Sequence, residues 1–477
     1  MIARIARKEM TEMLRDGRFR WTATMIAILL IGALTTGVTH YRRTAAERDA
    51  AKRSARTHWL TQAPKNAHSA AHYGVYAFKP AMSLSLVDEG VDRYVGVFAW
   101  LEAHKQNDFK YRPAQDATVI ERFAAWTAAN VLQVLVPLVI IMATFPAFAG
   151  EREQGTLRQL LATGVRPRIL FLGKAAGVSL ALGILIAPAA AVGVMALVMA
   201  SSNTTLGDTW LRGSILTLVY LAYFTGFLAV GLTVSALARS ARLSLILLLA
   251  FWATNAFVAP RAAVDLARRA HPAPSALAFN LNMERELTTT GEGVSGKALE
   301  DSVLRAHGVS TLDSLPFNFA GLSLQRGEEQ GYRVFDKRYG ELAATFAAQD
   351  RLSQRLGAFA PLLATRALSM GLAGTDYEQH HHFAEAAEMY RRGLVKTMND
   401  AVRDYQRGGE VIAVSSDSTL WAKVPTFDYD APALGIVMGR YLWAFAVLIL
   451  WLVGSLALVA TVARHVSAST LAEGVRP

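Results

Sequence analysis

Histidines and carboxylates are where chemistry would start in this chain, and they are unevenly placed. Ten of the 11 histidines fall in two long polar segments, 40–123 and 261–440; only His465 lies elsewhere. His380, His381 and His382 stand together at the start of an amphipathic pattern, with Glu385 one helical turn further on. His-rich tracts can bind zinc or copper. Neighbouring residues on a helix point in different directions, however, so helix geometry alone does not bring all three to one ion. The expectation is a polar helix start rather than a metal site. Asp88, Glu89 and Asp92 read as a solvated acidic turn, because hard cations need more oxygen ligands at defined spacing. The stretch 291–298 (GEGVSGKA) approaches a phosphate-binding loop. Yet Ala298 stands where Ser or Thr would ligate magnesium, and no apolar strand precedes it. No G-x-S-x-G or H-E-x-x-H pattern occurs, and nothing in their spacing pairs the Ser, His and Asp residues. The chain is therefore expected to have no catalytic residue, no metal and no cofactor of its own, and not to be an enzyme by itself.

The elements that would carry these residues are set by composition. The 477 residues are 52% hydrophobic and only 18% charged, with a formal net charge of +11 and no cysteine. A charge that basic invites a nucleic-acid reading, but the charged fraction is below that of average globular proteins. High apolarity with low charge points to a membrane protein. The absence of cysteine excludes disulfides, Cys-ligated zinc and a thiol nucleophile.

Six runs lack any Asp, Glu, Lys, Arg or His and are long enough to cross a hydrocarbon core of ~30 Å. They are Trp21–Thr39, Ala124–Ala149, Ala175–Ala200, Ser214–Ala238, Leu243–Pro260 and Tyr441–Ala463. Trp21, Trp126, Trp210, Trp252, Tyr441 and Trp443 sit near their ends, as interface anchors do. The first run is too long for a cleaved signal and reads as a signal anchor. Gly173, Gly177, Gly183 and Ala187 form small-xxx-small pairs, which let helices approach closely. No ionisable group lies inside a run, which disfavours a proton-driven carrier.

Six spans place both termini on one side. The segments on that side would be 1–20, 150–174, 239–242 and 464–477, with 15 Lys and Arg against 6 acids. Short flanking loops rich in Lys and Arg are cytoplasmic. The expected fold is thus an all-α polytopic membrane protein: six transmembrane helices, a short outer loop at 201–213, and two mainly helical extracytoplasmic insertions at 40–123 and 261–440. In the second insertion, Tyr332, Phe335, Tyr339, Leu342 and Phe346 step by three and four. So do Phe383, Ala387, Tyr390, Leu394, Met398, Val402 and Tyr405, predicting two packed amphipathic helices.

Two cytoplasmic stretches carry pattern. Residues 1–20 form an amphipathic helix with Ile2, Ile5, Ala6, Met10, Met13 and Leu14 on one face. Arg4, Arg7, Lys8, Glu12 and Arg15 lie mostly elsewhere, as suits a helix lying in the inner leaflet with its apolar face in lipid. In the loop 150–174, Glu151 and Glu153 precede Gly155 and Thr156. Thr156 is expected to cap a short helix, with acids at its start suiting the dipole. Leu157, Leu160 and Leu161 give that helix an apolar face, and Gly164 and Pro167 end it.

At these residues the chain resembles the type-2 permeases of ATP-binding-cassette (ABC) transporters. Glu-x-Glu-x-Gly-Thr-Leu at 151–157, Leu160-Leu161, and Gly173-Lys174 opening the next span resemble their coupling-helix loop. Arg7-Lys8-Glu9 through Leu14-Arg15-Asp16 resembles their connecting helix. Within that family it is similar to a subgroup with large outer insertions of unknown function, related to the permeases of gliding and copper-maturation systems. It is carried by Ala71-His72-Tyr73-Gly74, Phe78-Lys79-Pro80 and Glu102-Ala103-His104, and by Gly374-Thr375-Asp376, His382-Phe383, Ala387-Glu388 and Tyr390-Arg391. The resemblance implies a permease subunit in a bacterial cytoplasmic membrane that exports or extracts an unidentified substrate. It implies a separate cytoplasmic ATPase dimer, which holds ATP and magnesium and docks at Glu151, Glu153, Gly155, Thr156, Leu157, Leu160, Leu161 and Gly164. A second permease chain, identical or homologous, and membrane lipid complete the expected partners, with no nucleic acid. One departure is expected: a mostly polar segment of ~180 residues stands where many such permeases have a short helical re-entry before the last span. The alternatives are a mechanotransmission component that moves an envelope partner, and an envelope receptor or metal-dependent surface protein.

Overall fold

The computed structural model describes residues 1–116, 126–200, 206–292, 296–405 and 416–472. Helix α1 (Ile2–Arg15) ends at Asp16, whose carboxylate accepts from the Arg18 amide and so caps α2 (Gly17–Thr61). At 1.5 Å per residue α2 is about 68 Å long, more than twice a bilayer core. Its first half is apolar; its second half is charged and ends at Trp59, which is buried on Trp421. Asn66 caps α3 (Ala67–Tyr73), accepting from the His68 and Ser69 amides. An antiparallel sheet follows, β1 (Val75–Phe78), β2 (Phe98–Glu102) and β3 (Lys105–Gln106), with Val75 opposite Leu101 and Glu102 opposite Lys105. This sheet is a small exception to the all-helical expectation.

Next come α4 (Ala128–Glu153), the short α5 (Thr156–Ala162), α6 (Pro167–Ala200), α7 (Leu206–Leu237) and α8 (Ala241–Ala270). The second long inter-span segment contains α9 (Ala276–Glu292), α10 (Gly296–His307), α11 (Phe319–Leu356), α12 (Pro361–Ala373), α13 (Tyr377–Tyr405) and α14 (Leu434–Arg440). Helix α15 (Leu442–Ala472) closes the chain. Six of these, α2, α4, α6, α7, α8 and α15, are long and apolar enough to cross a membrane, at the places the uncharged runs indicate. The protein is a helical multi-pass membrane protein.

The two inter-span segments pack on each other at one end of the spans. Tyr332 and Phe335 of α11 are buried, as are Phe383, Ala387, Leu394, Met398 and Val402 of α13, the stripes expected from their spacing. The two helices pack together, and Gly321 lets them touch: an added Cβ would lie 2.4 Å from the Arg403 nitrogen. The near-match to a phosphate loop falls between α9 and α10, with 293–295 outside the described residues; helices rather than a strand flank it.

Helix α12 corrects one expectation. The segment before the last span is not polar throughout: Leu362, Ala364, Leu368 and Leu372 are buried among the spans, and α12 packs on α7 and α15. Thirteen residues are too few to cross a bilayer. They are enough to wedge between span ends, so a short helix does enter the bundle here. Tyr441 is a second correction. It is buried rather than an interface anchor, and its hydroxyl donates to Asp376. Trp21, Trp126, Trp210 and Trp443 are exposed, as anchors should be.

Candidate functional site

Lys174 organises the end of the molecule that carries α1 and α5. Its ammonium is buried on α6 and bonds Glu9 of α1 at 2.7 Å and Glu151 of α4 at 2.9 Å. Lys8 lies 3.8 Å from Glu151 on the outside. Helix α1 reaches Lys174 because α6 offers glycine beneath it. A Cβ on Gly173 would sit 2.6 Å from the Ile5 Cβ, and one on Gly177 would sit 2.6 Å from the Glu9 Cβ. The apolar face of α1 is therefore spent largely on protein. Ala6 is buried, and Ile5, Met10, Met13 and Leu14 pack on the span cluster. This corrects the picture of an apolar face lying in lipid; only Ile2 of that face is exposed. Arg7 and Arg15 point outward.

The loop is held equally firmly to the turn between α7 and α8. Arg152 donates to the carbonyls of Ala236 and Ala238, both at 2.6 Å. Ser235 accepts from the Phe148 and Ala149 amides, and Glu153 accepts from the Ala241 amide at 3.1 Å. Gly155, at φ +74°, is the residue before α5. Thr156 is the first helical residue, and its hydroxyl donates back to the Glu151 carbonyl, so it does not cap the helix as expected. A left-handed turn here needs glycine, and a glycine N-cap leaves no side chain for that task. Gly164, at φ +84°, ends the turn after α5. Leu157 is buried and Leu160 and Leu161 pack against the spans, so the leucine face is internal. The exposed tip is polar: Gln154, Arg158, Gln159, Thr163 and Arg166.

A buried polar chain runs beneath α12 at the other end of the spans. Asp88 accepts from Ser369 of α12, which meets the Tyr220 hydroxyl at 2.9 Å. Gln133 donates to Tyr220, Tyr223 donates to the Gln133 carbonyl, and Asn255 donates to Tyr223 and accepts from the Leu362 amide. Gln133 and Asn255 each sit in a π-helical turn, Val131–Leu135 and Thr254–Val258. Such turns free backbone and redirect side chains, and they recur at functional sites. Asp88 is no solvated turn: it is fully enclosed, and burial pushes its carboxyl up.

Along α2 runs a cavity of about 1010 Å³. Ile28, Leu29, Gly32 and Thr36 line its part within the span, and Arg43, Arg48 and Arg93 with Glu47 and Glu89 line its part beyond.

Three histidines meet in the packed inter-span segments. His68 and His72 share one face of α3, and His104 sits in the two-residue turn between β2 and β3 at φ +64°. Their ligand atoms all lie within 4.8 Å of one another. His104 donates its backbone N–H to Glu328 Oε1 at 2.7 Å, and its Nδ1 lies 2.7 Å from the same oxygen. His68 Nδ1 lies 3.1 Å from Asn399 Oδ1. Glu328 is buried beside Arg391, which grips Glu388 through two bonds of 2.7 and 2.8 Å. Burial alone would raise the Glu328 carboxyl, but the hydrogen bond and charge of His104 and the charge of Arg391 outweigh it and hold it below the ordinary value. Burial also keeps the His68 imidazole below its usual range. By contrast the run 380–382 diverges, as helix geometry requires. His380 packs on Phe109, and burial, then the Lys79 charge, pushes its imidazole down to about 3. His381 faces Glu385, and His382 meets the Tyr429 hydroxyl. The sequence signal for this grouping is the pair His68-x-x-x-His72, one helical turn apart.

Residues 277–430, part of the second inter-span segment, match the family model described as a domain of unknown function (DUF3526). No curated protein matches the chain. The matched stretch contains Glu328, Arg391 and Asn399 but none of the three histidines that meet beside them.

Proposed function

We propose that the chain is the membrane-spanning permease subunit of an ABC transporter, coupling ATP hydrolysis by a separate ATPase to export or extraction of a substrate. The observation that carries the reading is the Lys174 junction. It makes α1, the 151–164 loop and α6 one body, with a polar tip left outside. Motion imposed on the tip would reach the spans as a rigid-body displacement, the usual way packed elements transmit change. On this reading both termini are cytoplasmic, the inter-span segments lie outside a bacterial inner membrane, and a second permease chain completes the path. The cavity along α2 supports transport of an amphiphile: its span part is apolar, and three arginines face two glutamates beyond it. ATP and magnesium belong to the partner ATPase.

The reading is tested by coexpressing the tagged chain with a candidate ATPase encoded beside it. Stable copurification, lost when Arg158 and Gln159 become Glu, is the expected result. Copurification unmoved by those changes, with the variant folded, refutes the docking role. The leucines do not serve this test. A charge at the buried Leu157 would damage the chain itself, since core truncations alone cost about 2–5 kcal/mol.

A second reading rests on α2. One continuous helix joins the membrane part to the Trp59–Trp421 core outside it. ATP cycling could thereby move the outer segments against an envelope partner without transport.

A further inference from the structure

His68, His72 and His104 have the geometry of metal ligands rather than of packed polar side chains. The three rings form a nearly equilateral triangle, with centroids 4.8, 5.2 and 5.0 Å apart. His68 Nε2 and His72 Nε2 are 3.2 Å apart. Nitrogens bound to one tetrahedral zinc at ~2.0–2.1 Å stand about 3.3 Å from each other. The separation of these two nitrogens matches that of two imidazoles on a shared ion.

The groups behind the rings fix their tautomers. A carboxylate only accepts, so the proton on His104 lies on Nδ1, toward Glu328, leaving the Nε2 lone pair free. Asn399 directs its amide nitrogen at Gln325 Oε1, so its carbonyl oxygen faces His68. The His68 proton therefore also lies on Nδ1. Metal-binding histidines typically donate their second nitrogen in this way to a carboxylate or carbonyl. The Glu328 carboxylate that performs this task is held by buried Arg391, and it also clamps the backbone of His104 in a left-handed conformation rare outside glycine. Backbone strain of this kind gathers at functional sites.

We infer that His68, His72 and His104 bind one divalent transition metal of the zinc class, with a fourth coordination position left open. Three imidazoles suit zinc and its borderline neighbours; magnesium and calcium require oxygen ligands, and copper(I) prefers sulfur. His72 and His104 are exposed, so nothing among the described residues closes the fourth position. His104 also lines a cavity of about 340 Å³ whose wall includes Ser323, Arg326 and Gln330. Water or a small oxygen-donor anion can reach the ion from there. The site joins α3 and the β2–β3 turn to α11 and α13, so the bound ion would also tie the first inter-span segment to the second.

The test uses the full chain in detergent, without a polyhistidine tag, stripped with chelator and titrated with zinc. One zinc per chain is expected. The His72→Ala and His104→Ala variants, changed at exposed positions, should lose at least ~100-fold in affinity. Glu328→Gln, which keeps the shape and weakens the orienting acceptor, should lose about 10-fold. His381→Ala should bind as the parent does. Cobalt(II) in place of zinc should give the intense visible absorption of a four-coordinate ion, absent in His72→Ala. No zinc uptake, binding that survives both His72→Ala and His104→Ala, or a cobalt spectrum of six-coordinate type overturns the inference.

Discussion

Lys174 and Arg391 are both buried cations set between two carboxylates, one at each end of the molecule. Lysine is a compact point charge, and Lys174 draws Glu9 and Glu151 inward from two different elements. Both carboxylates come from helices packed on the same bundle, so the junction ties those helices together. Arginine presents a planar fork. Arg391 spends that fork on Glu388 and lets its remaining charge balance Glu328, whose own bonds go to His104. Behind His104 the network stops at a partly exposed imidazole. The same electrostatic device would therefore serve a mechanical coupling at one end, on the permease reading, and the proposed metal site at the other. The difference lies in what the outermost member still has to offer.

Removing either cation tests the shared part of this comparison. Arg391→Met would leave Glu328 to His104 and Glu388 to Arg392 alone and should destabilise the inter-span segments by about 3 kcal/mol, read as a drop in melting temperature. Lys174→Met should cost a similar amount by the same principle, but here repair is simple. Adding Glu9→Gln and Glu151→Gln removes the stranded charges and should recover most of the loss. A triple variant no better than the single one would mean that charge pairing is not what holds the joint. Gly177→Ala acts on the same joint by shape, pressing a methyl toward Glu9 and the Ala6 carbonyl. Overpacking should cost about 1–3 kcal/mol and expose α1 to protease.

A buried carboxylate bonded by an amide provides the contrast. Burial pushes Asp350 up to about 6, with Gln354 opposing and Asp376 adding. The native chain thus holds this proton more tightly than the unfolded chain does. Its contribution to stability is full below pH ~4 and is lost as pH rises through about 6. Asp350→Asn should therefore raise the melting temperature near pH 7.5 and change little at pH 4. An equal shift at both values would contradict the assignment.

The spans, α1, the loop and the stripes of α11 and α13 were legible because each is a local pattern: an uncharged run, a helical period, glycine beside a helix start. What escaped notice was either too short or too dispersed. Helix α12 has 13 residues, below any span threshold, and its buried face is defined only by the spans it meets. The histidine site joins a helical pair to a turn residue, and its supports, Glu328, Arg391 and Asn399, lie hundreds of residues away. The conspicuous run 380–382 drew attention instead, yet one helix cannot aim three adjacent rings at one point. Gln133 and Asn255 are uncharged, so they passed unnoticed inside apolar runs, although each marks a π-turn and a buried bond.

The chain contains no cysteine, so a single introduced thiol reports one position only. The central claim is that the tip of the 151–164 loop meets an ATPase. Arg158→Cys and, at the opposite end, Glu47→Cys would be placed separately in the coexpressed complex and treated with a short thiol-to-amine cross-linker. The permease account predicts a cross-link to the ATPase from Arg158→Cys and none from Glu47→Cys. A copurifying ATPase that cross-links from Glu47→Cys and not from Arg158→Cys would contradict it.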